Sequence, residues 1–145
     1  MLNQDTENDP HPSVVDFRAA CSKADGFILA PAEYNFSISP PMTNAIAWAS
    51  RGPLGNLFAD KPGSLMSAGG GLGALRAQMH LRDMALGINL HLLNFPFVTV
   101  NIFAAPAQFD LNTGDLIHST TEKSVEIQME ALLAWIKRLD ARRGE

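Results

Sequence analysis

Residues 27–30, Phe-Ile-Leu-Ala, form an apolar run too short for a helix and without polar alternation. Such a run fits a strand covered on both faces, as in a parallel sheet. A parallel sheet needs crossover helices, so this stretch points to an α/β arrangement. The loop that follows, residues 31–43, carries Glu33-Tyr34-Asn35: an acid, the chain's single tyrosine and an amide in a row. Pro40-Pro41 restrict the backbone just beyond it. Loops at the carboxyl ends of parallel strands are where open α/β folds place ligands. A short helix is expected next, ending near Ser50 and buried through Ala45, Ile46, Trp48 and Ala49.

A second unit repeats this pattern. A strand is expected over residues 63–67, then the glycine loop Gly69-Gly70-Gly71-Leu72-Gly73, then a helix over 74–86. Leu75, Met79, Arg82 and Leu86 lie at helical spacing, and Gly87 suits the left-handed residue that closes a helix. Strand, glycines and helix in succession bring backbone N–H groups against a planar or anionic ligand. Gly69-x-Gly71-x-x-Ala74 also matches the dinucleotide fingerprint, but residues 89–95 hold none of the acids that a plain dinucleotide-binding domain requires. A tight strand–helix turn built from small residues is the plainer reading, and the loop alone leaves both open.

The remaining elements complete the alternation. Residues 1–12 read as a loop or disordered start. Ser13 with Asp16 fits a capping box for a helix reaching about residue 23, apolar at Val14, Val15, Phe17 and Ala19. Strands are expected over 88–93 and, extended, over 97–103. Ser119 with Glu122 fits a second capping box. It opens a helix in which Val125, Met129, Leu132, Leu133, Ile136 and Leu139 form a stripe, with Arg138, Arg142 and Arg143 favouring its end. The order α-β-α-β-α-β-extended-α over 145 residues argues for one domain with a parallel sheet and helices on both faces.

Charge and composition narrow the function. A net charge of −4 gives no general attraction for nucleic acid or acidic lipid. No apolar run approaches the ~20 residues of a spanning helix, and the polar start lacks a signal-peptide pattern; a cytoplasmic protein is expected. Cys21 is the single cysteine and the four histidines lack ligand spacing, so neither a disulfide nor a metal centre is expected. No G-x-S-x-G elbow is present, and no residue is assigned as a catalytic nucleophile, acid or base.

The stretches AEYNFSISPPMTNAIAWASR, LFADKP, SAGGGLGALRAQMHLRDM and AAPAQFD together resemble the NADPH-dependent FMN reductase and NAD(P)H:quinone oxidoreductase family. The resemblance runs over most of the chain. It implies a flavodoxin-like, doubly wound sheet, non-covalent FMN, and hydride transfer from NAD(P)H through FMN to a quinone or similar small acceptor. It further implies a homodimer or tetramer. Carried over residue by residue, Glu33, Tyr34 and Asn35 would hold the flavin edge, with Ser67, Gly69, Gly70 and Gly71 lining the other side of the ring. The chain departs from the family pattern in having Ala32 before Glu33, and Thr43 and Ala47 where the following helix usually carries charges. The family also begins with a strand and a Gly-Ser-x-Arg phosphate loop, and Met1 aligns beyond them; a sheet without its first β-α-β unit is therefore expected. The alternative to an active flavoenzyme is a non-catalytic fragment that acts only by associating with a partner subunit.

Overall fold

The structure is a computed structural model describing residues 1–143. The Arg142 and Arg143 side chains, expected to favour the end of the last helix, lie outside the described set. In chain order the elements are α1 (Pro12–Ser22), β1 (Phe27–Leu29), β2 (Glu33–Tyr34), β3 (Ser37–Ile38), α2 (Pro40–Ala49), β4 (Pro62–Gly69), α3 (Leu75–Gly87), β5 (His91–Leu92), β6 (Val98–Asn101) and α4 (Ser119–Arg143).

β4 is the central strand. β1 runs parallel to it on one side, from Phe27 opposite Gly63 to Leu29 opposite Leu65. On the other side β5 and β6 share a single edge of β4. Pro62 lies opposite His91 and Gly63 opposite Leu92, then Met66 opposite Val98 through to Gly69 opposite Asn101. The two segments expected as separate strands are thus two lengths of one rail. The interruption contains Pro96, which has no N–H to offer a ladder.

Helices cover both faces, as the alternation demands. Side chains of successive strand residues point to opposite sides. Leu65 joins Leu29, Ile46, Ala49, Phe58, Leu81, Ala85 and Leu90 in a core built with α2 and α3. Ser64 faces the other way, where the Gln128 amide of α4 donates to its hydroxyl at 2.7 Å and to the Leu65 carbonyl. β1 is an edge strand, and Ile28 on the α4 side is 38% exposed. The expected cover on both faces of this run is therefore incomplete.

Several helices bury residues other than the apolar stripe. On α3 the buried side chains are Ala77, Gln78, Leu81 and Ala85, while Met79 and Leu86 face solvent. The alanines let the helix approach the sheet closely, and closeness outweighs the bulk of the neighbouring stripe. On α1 the buried residue is Arg18, whose guanidinium donates to the Trp48 and Gly55 carbonyls of the α2 region. On α4, Gln128 and Leu132 are buried while Leu133 is 55% exposed.

Helix ends differ from expectation in a consistent way. α1 starts two residues early at Pro12, with the His11 ring nitrogen accepting from the Ser13 N–H at 3.3 Å. Proline is pre-set for the first helical position, and this overrides Ser13 as cap. α2 likewise starts at Pro40 rather than beyond Thr43. α4 takes His118 as its cap: the Thr121 and Glu122 N–H groups both donate to the His118 carbonyl at 3.0 Å, and Ser119 lies inside the first turn. α3 runs to Gly87 and is closed two residues beyond by the left-handed Asn89, with φ of 52°, so Gly87 is the last helical residue and not the closing one. Leu90 N–H donates to Ala85 O at 3.0 Å and Asn89 N–H to Leu86 O, the two bonds of a Schellman closure. Residues 1–12 hold a 3-10 turn at Gln4–Thr6, and the Glu7 carboxylate accepts from Gly52 N–H at 3.1 Å.

Candidate functional site

The parallel register of β1, β4 and β6 sends all three carboxyl ends to one edge of the sheet. Each is followed by a loop there. The segments after β1 and β4 meet at a crevice of about 390 Å³ lined by Glu33, Asn35, Phe36, Gly69 and Gly70.

The first wall is the hairpin formed by β2 and β3, where a loop was expected. Glu33 pairs with Ile38 and Tyr34 with Ser37. Asn35 and Phe36 make the two-residue turn with φ of 50° and 63°. This type I′ geometry needs left-handed residues at both positions, which asparagine accepts readily and phenylalanine does not. The Phe36 ring lies under the Arg76 guanidinium at 4.1 Å, a cation–π contact that helps hold it there. The Ser37 hydroxyl is 3.2 Å from the His80 ring nitrogen, so the hairpin touches α3 at two points one turn apart. A third tie comes from Glu33, whose carboxylate accepts from the Ala77 N–H at 3.2 Å.

The second wall is the glycine loop, and its glycines act differently. A Cβ on Gly73 would sit 2.6 Å from the Val100 backbone nitrogen, and its φ is +65°. Gly73 therefore seats the loop directly on β6. A Cβ on Gly70 would meet the Phe103 ring at 2.9 Å, whereas one on Gly71 would enter open space. The Gly70 and Gly71 N–H groups find no acceptor among the described residues. A flat ring reaches backbone only where no Cβ intervenes. Phe103 thus covers one side of Gly70 while Gly71 is open, and the stretch offers N–H donors without acceptors among the described residues, a surface suited to a ligand with polar edges.

Gln78 supports this loop from beneath. It is fully buried, and its amide donates to Ser67 Oγ at 2.8 Å and to Val98 O at 2.7 Å. Ser67 in turn donates to Gly73 O at 2.5 Å. The hydroxyl's one proton is committed inside the loop, so Ser67 stands behind the glycines rather than on the crevice surface. Of the residues singled out from the sequence, Glu33, Asn35, Gly69 and Gly70 meet at the crevice. Gly71 is next in the chain and does not line the crevice, its Cβ position facing open space, and Tyr34 projects from the hairpin, 61% exposed. Phe36, Arg76 and Gln78 were not legible as site residues. For Gln78 the available signal is its place on one helix face with Leu81 and Ala85, where a lone amide among apolar residues marks a buried polar link.

Comparison with known proteins decides the family. The profile of NADPH-dependent FMN reductases matches residues 1–106. The chain belongs to that family. Relatives within it include the NADPH:quinone oxidoreductase of Arabidopsis thaliana, 40% identical over 98% of this chain and 72% of that protein. The NAD(P)H:quinone oxidoreductase of Solanum tuberosum is 43% identical over 92% of this chain and 69% of its own. Among solved structures, the flavoenzyme NAD(P)H:(acceptor) oxidoreductase FerB of Paracoccus denitrificans superposes with a TM-score of 0.79 at 25% identity, covering 94% of this chain and 74% of that one. The flavodoxin-like architecture of this FMN reductase family member follows from that superposition and from the parallel, two-faced sheet. Among the described residues no helix is long and apolar enough to cross a membrane.

Proposed function

We propose that the chain is an FMN-dependent oxidoreductase that moves a hydride from NAD(P)H, through FMN, to a quinone or similar small acceptor. The observation that carries this is the crevice itself: the Gly70 N–H, without an acceptor among the described residues, on one wall and a polar hairpin on the other, at the carboxyl edge of a parallel sheet. The names of the relatives agree with it. The chemistry the flavin supplies is acceptance of two electrons as hydride and their delivery to the acceptor.

The protein's part is position and environment. The Gly70 and Gly71 N–H groups would donate to the polar edge of the ring, with Gly69 allowing close approach. Asn35 would offer its amide from the hairpin turn, and Tyr34 would flank the open side where nicotinamide and acceptor arrive in turn. Glu33 and Ser67 would hold the two walls in place behind these contacts. Arg76, stacked on Phe36, places a cation at the rim, where it favours anionic substrates. The assignment covers the ring of the cofactor. The proposed working form is a cytoplasmic homodimer or tetramer, to be measured by light scattering.

The test is to incubate the purified chain with FMN, remove the excess and record the visible spectrum, then add NADPH and a benzoquinone. Retained flavin absorbance, bleached by NADPH and restored by the quinone, is expected. A colourless protein without quinone-dependent NADPH oxidation would refute the proposal.

A further inference from the structure

Among the described residues Glu33 carries the only acidic side chain lining the crevice, and its carboxylate already has a partner. That partner is the Ala77 N–H, in the first turn of α3, 44 residues away in sequence. The left-handed Ala74 that precedes α3 has no side chain able to cap the helix. The first turn of a helix leaves N–H groups without intrahelical acceptors, and its positive end favours an anion. A carboxylate delivered from a separate hairpin serves the same purpose as a local cap.

We infer that Glu33 is a positioning residue that fixes the distance between the two walls of the crevice. α3 follows directly on the glycine loop, and one residue after Ala77 the Gln78 amide is anchored to Ser67 and Val98. The hairpin is thus tied, through Glu33, to the one turn that is itself bolted to the sheet. The other polar ties between hairpin and α3, Phe36 under Arg76 and Ser37 beside His80, are between exposed side chains, while Ile38 of β3 packs against the core. Removing Glu33's acceptor frees the Glu33 end of the hairpin to move away from the glycines. It also leaves the Ala77 N–H without a partner.

This inference rests on the crevice being the flavin site, and the experiment separates the two. Glu33→Ala and Glu33→Gln are compared with the wild type by amide exchange at residues 70–77, by FMN affinity, and by the flavin spectrum. Glutamine keeps an acceptor oxygen at the same reach. Charged-group hydrogen bonds set the scale, so Glu33→Ala is expected to speed exchange at Ala77 by about tenfold or more and to weaken FMN by a similar factor. Glu33→Gln is expected to stay within about threefold of wild type in both, with an unshifted flavin spectrum. Unfolding curves of the three proteins establish that each is folded. Unchanged exchange at Ala77 in Glu33→Ala overturns the inference, as does unchanged FMN affinity in a variant whose wild type binds flavin. A Glu33→Gln protein as weak as Glu33→Ala also overturns it, since a direct charge contact to the cofactor would then be indicated. If the wild type binds no FMN, the functional proposal fails, and the Ala77 exchange still decides whether Glu33 holds the walls together.

Discussion

Replacing Gly73 by alanine tests how the glycine loop is seated. Two costs combine at this position. The residue sits at φ +65°, a left-handed conformation that costs a non-glycine residue about 1–2 kcal/mol. The added methyl would also lie 2.6 Å from Val100 N and 2.9 Å from Val100 C. Those atoms belong to β6, paired along β4, so they cannot rotate aside as a side chain would. Overpacking of this kind typically costs about 1–3 kcal/mol more. Gly71→Ala is the matched control, because its φ is +57° while its Cβ would enter open space. It therefore carries the backbone cost alone. At about 2–4 °C per kcal/mol for chains of this size, Gly73→Ala is expected to melt roughly 2–12 °C below Gly71→Ala. Thermal unfolding followed by circular dichroism measures this, with urea titration as a second estimate. Equal melting temperatures, within about 1 °C, would refute the reasoning that the loop is fixed by direct contact with β6.

Gln78→Leu leaves Val98 O and Ser67 without their buried donor. It is expected to cost about 1–3 kcal/mol in urea unfolding, against less than about 0.5 kcal/mol for Met79→Leu on the exposed side of the same helix. Equal effects would show that the buried amide is dispensable. Burial is the main influence on Cys21 and pushes its thiol above the ordinary range, with Lys61 and Arg18 opposing it more weakly. Alkylation by iodoacetamide, followed by mass spectrometry, is therefore expected to be slower than that of free glutathione at the same pH; a rate as fast would contradict the burial of the sulfur. The folded state holds this proton more tightly than the unfolded chain. The associated stability is thus present below the unfolded thiol's pKa and is lost as pH rises through the folded one.

Much of the architecture was legible because it rests on local pattern. The run at residues 27–30 and the strand–glycine–helix succession at 67–75 indicate two parallel strands, and the fold pairs them as neighbours, so that the loops after them open at the same edge. The family followed from combined motifs, and the matching profile agrees with it. Helix ends were less legible because two local signals competed. Proline at the first position displaced Ser13 and Thr43 as starting points, and Asn89 took the left-handed place expected of Gly87.

What the sequence determined by itself was the set of elements, their parallel sense and the two loops that face one another. Those depend on apolar spacing and turn chemistry, which act between near neighbours. The tertiary structure alone decided which residues hold the loops together. Glu33 reaches Ala77 and Gln128 reaches Ser64 across 44 and 64 positions. A hydrogen bond of that span leaves no periodic trace, because its partners become neighbours only after the sheet has formed. For the same reason Arg18, Gln78 and Gln128, polar residues on helices read as apolar stripes, came out among the buried side chains. Once the core excluded water, each was retained where its N–H groups found carbonyl or hydroxyl acceptors, although the Oε1 atoms of Gln78 and Gln128 have no partner among the described residues.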